Sequence, residues 1–166
     1  EYMLELQQRY RSSALLIDTN LLILLLLGRF DSGRIGKDNT TTRYTEEDYA
    51  LLELFVEPFP RLISTPNILT EVSNLSGHWK EPLKSRYFTY LAHEIQNLVE
   101  TFVPSEQASQ TAYFIPLGLT DAVVRLVLDQ NRYLVLTDDL SLYRRLVTDG
   151  FDAINFNHLR EYYLGY

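Results

Sequence analysis

Four short, largely apolar runs separated by longer segments of helical periodicity predict the strands of one sheet. The runs lie at 14–17, 61–64, 133–136 and 153–156. Because predicted strands alternate with predicted helices, the pattern favours an α/β fold whose parallel sheet is covered on both faces. The absence of a repeat or linker in the sequence predicts a single domain over residues 1–166.

The segments between these runs contain recognisable helix boundaries. We expect a buried helix over Leu21–Leu27 that ends at Gly28, followed by a long polar loop over residues 29–44. The sequence Thr45-Glu-Glu-Asp48 resembles a capping box and predicts a helix that continues to about Glu57. Pro66, at a first helical position, predicts a further helix that Gly77 closes. The remaining helices are expected at 82–98, 105–112, 121–130 and 140–147.

Composition narrows the classes of protein that need to be considered. The chain has 166 residues and no cysteine, which excludes disulfides, thiolate zinc sites and cysteine nucleophiles. This fits the reducing cytoplasm, which we take as the expected location. No signal-peptide pattern is visible, and Leu21–Leu27 is far shorter than the roughly 20 residues that span a bilayer, so we expect no membrane association.

The charge balance is acidic, with 22 acidic and 15 basic side chains and a formal charge of −7. Proteins that bind nucleic acid without catalysing a reaction on it are usually basic. An enzyme can still act on a polyanion when metal ions neutralise an acidic site. The charge therefore counts against non-specific binding more than against phosphodiester chemistry.

Acidic residues follow two of the predicted strands directly. Asp18 comes after the first strand, and Thr137 leads from the third strand into Asp138 and Asp139. In an open α/β sheet, ligands bind at the carboxyl ends of the strands. Neighbouring parallel strands would therefore bring these acids to one edge of the sheet.

Two predicted helices add further acids near the same edge. Glu71 borders the apolar stripe of its helix, between Ile68 and Leu75, and Asp121 begins the most apolar helix. Carboxylates that crowd together raise one another's pKa or recruit a cation. Without Cys or paired His ligands, oxygen-rich sites suit Mg²⁺ or Mn²⁺.

At these residues the chain resembles the PIN-domain nucleases. Four acidic motifs occur in the family's order, and a fifth segment is similar to the family's last strand. They are IDTN at 17–20, PNILTEVSNL at 66–75, LTDAVVRLVL at 119–128, VLTDDLSLYRRL at 135–146 and FDAINFNHL at 151–159. The resemblance covers nearly the whole chain. It implies a Rossmann-like α/β/α sandwich with a central, mainly parallel sheet of four or five strands.

The resemblance also implies a function and a set of site residues. The function would be a Mg²⁺- or Mn²⁺-dependent nuclease, expected to be an endoribonuclease that hydrolyses RNA phosphodiesters with metal-activated water. The catalytic metal ligands would be Asp18, Glu71, Asp121 and Asp139, with Asp138 as an accessory or outer ligand. Asn20 and Thr137 could hydrogen-bond these acids and hold their rotamers.

The segment at 29–44 is longer than in compact members of the family. Its cations could steer a phosphate backbone, cover the site or contact a partner; they are Arg29, Arg34, Lys37 and Arg43. The resemblance leaves open a toxin of a toxin–antitoxin pair, an RNA-processing enzyme and a defence nuclease. Besides the RNA substrate, an antitoxin, another protein or a second copy of the chain remain as partners.

Each acid also has a purely structural interpretation. Asp18 could be a helix N-cap, Asp138 and Asp139 could cap the helix at 140, and Glu71 could be a solvated helix residue. Asp121 could cap its own helix and pair with Arg125 at i,i+4, or form a solvated stripe of that helix with Arg125 and Asp129. These interpretations together would leave a catalytically inactive PIN-like scaffold or protein-binding module.

A third function, a phosphatase with an aspartyl nucleophile, would suit Asp18 at a strand end. That class uses a second Asp two residues later, where this chain has Asn20. The sequence therefore disfavours it.

Overall fold

The computed structural model describes residues 2–75 and 77–166, with only the backbone of Leu75. In this part of the chain five strands form one sheet: β1 (Leu15–Ile17), β2 (Leu62–Ser64), β3 (Val99–Glu100), β4 (Leu134–Thr137) and β5 (Ala153–Asn155). Every pairing is parallel, in the order β3-β2-β1-β4-β5. The predicted α/β class and the parallel sheet of four or five strands are confirmed. The side chain of Leu75, expected in the apolar stripe of its helix, lies outside the described residues.

Helices flank this sheet and account for most of the described chain. They are α1 (Tyr2–Tyr10), α2 (Thr19–Asp31), α3 (Glu46–Val56), α4 (Pro66–Leu75), α5 (Leu83–Asn97), α6 (Ser105–Ser109), α7 (Phe114–Leu117), α8 (Leu119–Gln130), α9 (Leu140–Thr148) and α10 (Phe156–Leu164), with a 3₁₀ turn at Ser32–Arg34. A Rossmann-like α/β/α sandwich results. Among the described helices we find none with the length and apolar character needed to cross a membrane.

The pairing of the two central strands, β1 and β4, determines which residues meet at the carboxyl edge of the sheet. Every residue of both strands is buried, as expected for strands covered on both faces. The register pairs Ile17 with Leu136 at their carboxyl ends. Beyond this pair, the backbone N–H of Asp18 donates to the carbonyl of Leu136 at 3.0 Å. The residues that follow the two strands are therefore neighbours.

The predicted capping box at the start of α3 is confirmed. Thr45 accepts from the backbone N–H of Asp48 at 3.2 Å, and Asp48 accepts from the backbone N–H of Thr45 at 2.8 Å. Asp48 is completely buried. Its charge is compensated by Arg160, whose Nε and Nη2 donate to the two carboxylate oxygens at 2.7 and 3.1 Å. The cap thus also fixes α10 against α3.

The prediction that Gly28 ends its helix is wrong, because α2 continues to Asp31. The ring of Tyr49 packs directly on Gly28. A Cβ atom at this position would lie 2.2 Å from Cδ2 and 2.6 Å from Cγ of Tyr49. Gly28 therefore serves close helix packing rather than helix termination. Arg29 consequently belongs to α2, and the predicted loop of residues 29–44 begins after the 3₁₀ turn.

Four elements were not predicted from the sequence: α1, β3, α7 and α10. The strand β3 consists of two exposed residues, so the sequence shows no apolar run there. It pairs with β2 through Val99 and Ile63. Leu6 is the buried residue of α1. Phe156, expected at the end of the last strand, is the first residue of α10, because Asn155 caps that helix by accepting from Asn157 N at 2.9 Å.

The contact between Gly28 and Tyr49 predicts the effect of a single methyl group. Gly28→Ala should lower the free energy of unfolding by about 1–2 kcal/mol, since overpacking outweighs the better helix propensity of alanine. Urea denaturation measures the change. In a Tyr49→Ala background the same substitution should be neutral or stabilising. An equal penalty in both backgrounds would contradict the packing explanation.

Candidate active site

Asp18 is held rigidly where β1 ends and α2 begins. Its Oδ1 accepts from the backbone N–H of Thr19 at 2.7 Å, and its Oδ2 accepts from the Thr137 hydroxyl at 2.6 Å. The residue is 7% exposed. Asp18 is thus a helix N-cap, as its structural interpretation expects, and its second oxygen also joins β1 to β4. Burial, and secondarily the charges of Asp138 and Asp139, raise the pKa of Asp18 to about 6 against these two hydrogen bonds.

Thr137 links Asp18 to the acid that follows β4. Its Oγ1 donates to Asp18 and accepts from the backbone N–H of Asp139 at 3.0 Å. Asp139 in turn caps α9, because its Oδ1 accepts from the backbone N–H groups of Ser141 at 2.7 Å and Leu142 at 3.1 Å. Asp139 is otherwise exposed. One of its carboxylate oxygens is therefore occupied by the helix, and the other is open.

Glu71 reaches toward the same place from α4. Its Oε2 accepts from the hydroxyl of Thr19 at 3.1 Å, and its Oε1 accepts from the hydroxyl of Thr120. The carboxylate thereby bridges α2 and α8, although the residue as a whole is exposed. Two neutral donors orient Glu71, and no cation in the described part of the chain pairs with it.

Asp121 lies in the first turn of α8 and is half-buried. Its carboxylate makes no hydrogen bond or ion pair with the described part of the chain. Burial, and then the charges of Asp18, Asp139 and Glu71, raise the pKa of Asp121 to about 7. The expected alternative pairing with Arg125 is wrong, because Arg125 pairs with Asp129 on the same helix. Asp121 is therefore the least satisfied acid of the group.

The four acids line one pocket of about 310 Å³ at the carboxyl edge of the sheet. They come from four separate segments: Asp18, Glu71, Asp121 and Asp139. Thr19 and Thr120, which orient Glu71, line the same pocket. The structure thus brings together the four residues that the sequence placed in separate motifs.

Asp138 occupies a different position from the other acids. Its Oδ1 accepts from Asn20 Nδ2 at 3.2 Å, its Oδ2 accepts from the Tyr44 hydroxyl at 2.5 Å, and Arg43 Nη2 lies 3.0 Å from Oδ2. The Asp138 side chain is 4% exposed. Burial and the adjacent Asp138 charge raise the pKa of Tyr44 well above its usual range. Asp138, expected as an accessory ligand, therefore anchors the segment before α3 by a compensated ion pair.

The four cations predicted to contact substrate are engaged elsewhere. Their partners are Glu53 and Glu94 for Arg29, Asp31 for Arg34, the Gly33 carbonyl for Lys37 and Asp138 for Arg43. Arg34 and Lys37 line a separate pocket. Arg43 approaches the acids only through Asp138. The structure does not gather these cations around the acidic pocket.

Three residues that hold the predicted acids in place were not identified from the sequence. The hydroxyls of Thr19 and Thr120 hold Glu71, and each residue directly adjoins a predicted ligand in the chain, which is a signal that could have identified them. Tyr44, by contrast, is 94 residues from its partner Asp138. A contact of that kind leaves no local pattern in the sequence.

As the side chains stand, no three Asp, Glu, His or Cys side chains among residues 2–75 and 77–166 converge closely enough to hold a metal ion together. Glu71 is drawn to two threonine hydroxyls and Asp139 to the N-terminus of α9. Hydroxyl donors and helix N-termini both stabilise a negatively charged carboxylate. The donor set nevertheless fits Mg²⁺ or Mn²⁺, because it consists of oxygen ligands and includes the carboxylate of Asp121, which has no partner among residues 2–75 and 77–166.

Comparison of the chain with protein-family models, with curated proteins and with solved structures gave no match. The PIN-domain resemblance therefore stays a prediction that rests on its motifs. The geometry of the acidic pocket stands independently of that resemblance.

The crowding at Asp121 predicts an unusual dependence of stability on pH. The pKa of Asp121 is about 7 in the folded state and roughly 3.9 in an unfolded chain, so the fold favours the protonated carboxyl. The stability that protonation of Asp121 contributes is therefore fully present only below about pH 4. This contribution is lost as the pH rises through 7. In EDTA at pH 8, Asp121→Asn should therefore be more stable than wild type by about 1–2 kcal/mol, discounted for the open side of the pocket, and the difference should vanish toward pH 4.

Urea denaturation at several pH values measures this difference. Asp129→Asn is the matched control, because Asp129 lies on the same helix and pairs with Arg125 at an exposed position. The control should show no such pH-dependent gain. A gain for Asp121→Asn that stays constant from pH 8 to pH 4 would show that the acid is not electrostatically strained.

Proposed function

We propose that the protein is a Mg²⁺- or Mn²⁺-dependent nuclease that hydrolyses phosphodiester bonds, with RNA as its substrate. The observation that carries this proposal is the pocket at the carboxyl edge of the sheet, which is lined by four acids from four segments. An acidic pocket repels a phosphate backbone, so it suits such a substrate only together with a cation. The PIN-like motifs add the expectation of an endoribonuclease.

The residues of the pocket differ in how firmly they are held. Asp18 is fixed by donors to both of its oxygens, and Glu71 is oriented by two threonine hydroxyls. Among the described residues, Asp121 has no hydrogen-bonding or ionic partner for its carboxylate, and Asp139 has one open oxygen. Together these four acids would hold the ions. Thr137 positions Asp18 and receives the backbone N–H of Asp139, so it couples the two strand-end acids.

A bound Mg²⁺ or Mn²⁺ would neutralise the carboxylates, stabilise negative charge on the phosphate oxygens and lower the pKa of a water molecule. The protein's part is to present fixed oxygen ligands on rigid elements. Burial of Asp18 and half-burial of Asp121 strengthen their interaction with a cation, because bulk water screens buried charges less. No side chain is required as a covalent nucleophile.

A second candidate function is a catalytically inactive scaffold with the same fold. It is favoured by the capping roles of Asp18 and Asp139, which give both acids a structural reason to be present. It gives no such reason for Asp121, which caps nothing by its side chain and makes no hydrogen bond within the described residues. We therefore favour the nuclease.

The proposal predicts cleavage that needs both the metal and the acids. Purified protein should cleave a labelled mixed-sequence RNA in Mn²⁺ or Mg²⁺ but not in EDTA. Asp18→Asn and Asp121→Asn should each lower the rate by more than about 100-fold, because each removes a ligand charge. Asp129→Asn, outside the pocket, should cleave at the wild-type rate.

Gel analysis of the RNA fragments over time gives these rates, and melting curves show whether each variant is folded. Folded Asp18→Asn and Asp121→Asn proteins that cleave like wild type would overturn the assignment of the pocket. Wild-type protein that neither cleaves RNA nor melts at a higher temperature in Mn²⁺ would favour the scaffold.

A further inference from the structure

A second depression adjoins the acidic pocket and has different chemistry. Its volume is about 480 Å³, and it shares Glu71, Leu119 and Thr120 with the pocket. Its remaining lining includes Phe102, Asn67 and Ser105. We call this depression the Phe102 groove. Because these three residues line both depressions, the groove and the acidic pocket are contiguous, and one ligand can reach both.

Phe102 is an exposed aromatic ring on a firmly held backbone. The residue is 71% exposed. On one side, Thr101 N–H donates to the Ser64 carbonyl at 2.9 Å, which extends the pairing of β3 with β2. On the other side, Val103 is buried and Pro104 restricts the backbone. The ring is thus presented at the rim of the groove by anchored neighbours on both sides.

The polar groups of the Phe102 groove are available to a ligand. The amide of Asn67 and the hydroxyl of Ser105 make no side-chain hydrogen bond with the described part of the chain. Both groups can donate and accept, and an amide can pair with the edge of a nucleobase. Glu71 is the only charged residue among the described lining residues of the groove. The groove therefore suits a flat, neutral ligand with a polar edge rather than a second phosphate.

We propose that the Phe102 groove binds an unstacked nucleobase of single-stranded RNA, with Phe102 as the stacking surface and Asn67 and Ser105 facing the polar edge of the base. This inference rests on the proposed nuclease function for the identity of the ligand. A base can reach the ring only when it is not stacked within a duplex, so the site selects single-stranded substrate. The phosphate next to this base then lies toward the acidic pocket.

The test uses a short single-stranded RNA that carries 2-aminopurine, whose fluorescence falls when it stacks on an aromatic ring. Titrations are made in Ca²⁺ in place of Mg²⁺, to limit turnover of the probe. Wild-type protein should quench the fluorescence. Phe102→Ala should abolish the quenching and weaken binding about tenfold or more, whereas Phe102→Trp should bind within about threefold of wild type.

Leu54→Ala is the matched control, because Leu54 is an equally exposed apolar side chain on α3, away from the groove. It should bind like wild type. A duplex of the same sequence should not compete for the groove. Wild-type affinity and quenching in Phe102→Ala would overturn the inference, as would absence of probe binding by wild-type protein or equal competition by the duplex.

The outcomes for the groove and for the nuclease can be told apart. If Phe102→Ala binds the probe normally while wild type still cleaves RNA in Mn²⁺, the proposed base site is wrong and the proposed nuclease function is supported. If quenching depends on Phe102 but no protein cleaves, the base site stands without the nuclease. If Phe102→Ala keeps its affinity for RNA but dissociates a dimer in sedimentation, the ring is a protein contact and the inference is overturned.

Discussion

The parallel pairing of β1 with β4, closed at its carboxyl end by the hydrogen bond from Thr137 to Asp18, is the contact on which the site depends. It places a buried acid at the point where two central strands stop and two helices begin. A hydrogen bond to a charged acceptor is stronger than one between neutral groups. The bond from Thr137 to Asp18 therefore holds the carboxyl ends of β1 and β4 firmly together. Asp139 is then positioned by the same threonine.

Around this edge the protein keeps acids apart with neutral donors rather than with cations. Threonine hydroxyls hold Glu71 and Asp18, and a helix N-terminus holds Asp139. The neighbouring Asp138, by contrast, is compensated by Arg43. The pocket therefore retains negative charge that a divalent cation can neutralise, while Asp138, one residue before Asp139, is paired with Arg43 and anchors the segment before α3. The acids of the pocket are thus available for the proposed chemistry, and Asp138 stabilises the fold.

The strand-end position of Asp18 was predictable, because apolar runs that stop at an acid are local patterns and parallel strands end at one edge. Asp121 was predicted by a different pattern, because it lies at the start of the most apolar predicted helix. Contacts between distant segments were not predictable, since neither the ring of Tyr49 over Gly28 nor the pairing of Arg43 with Asp138 leaves a local signal. A glycine predicts a helix end by propensity, and tertiary packing reversed that prediction here.

The central claim is that these acids form one cation site. A double-mutant cycle tests it most directly: wild type, Asp18→Asn, Glu71→Gln and the double variant are each titrated calorimetrically with Mn²⁺. The two residues are 53 positions apart in the chain and line one pocket. Each substitution should weaken Mn²⁺ binding about tenfold or more, and the double variant should lose less than the sum of the two losses. Strictly additive losses, or Mn²⁺ binding that neither substitution changes, would contradict a shared site.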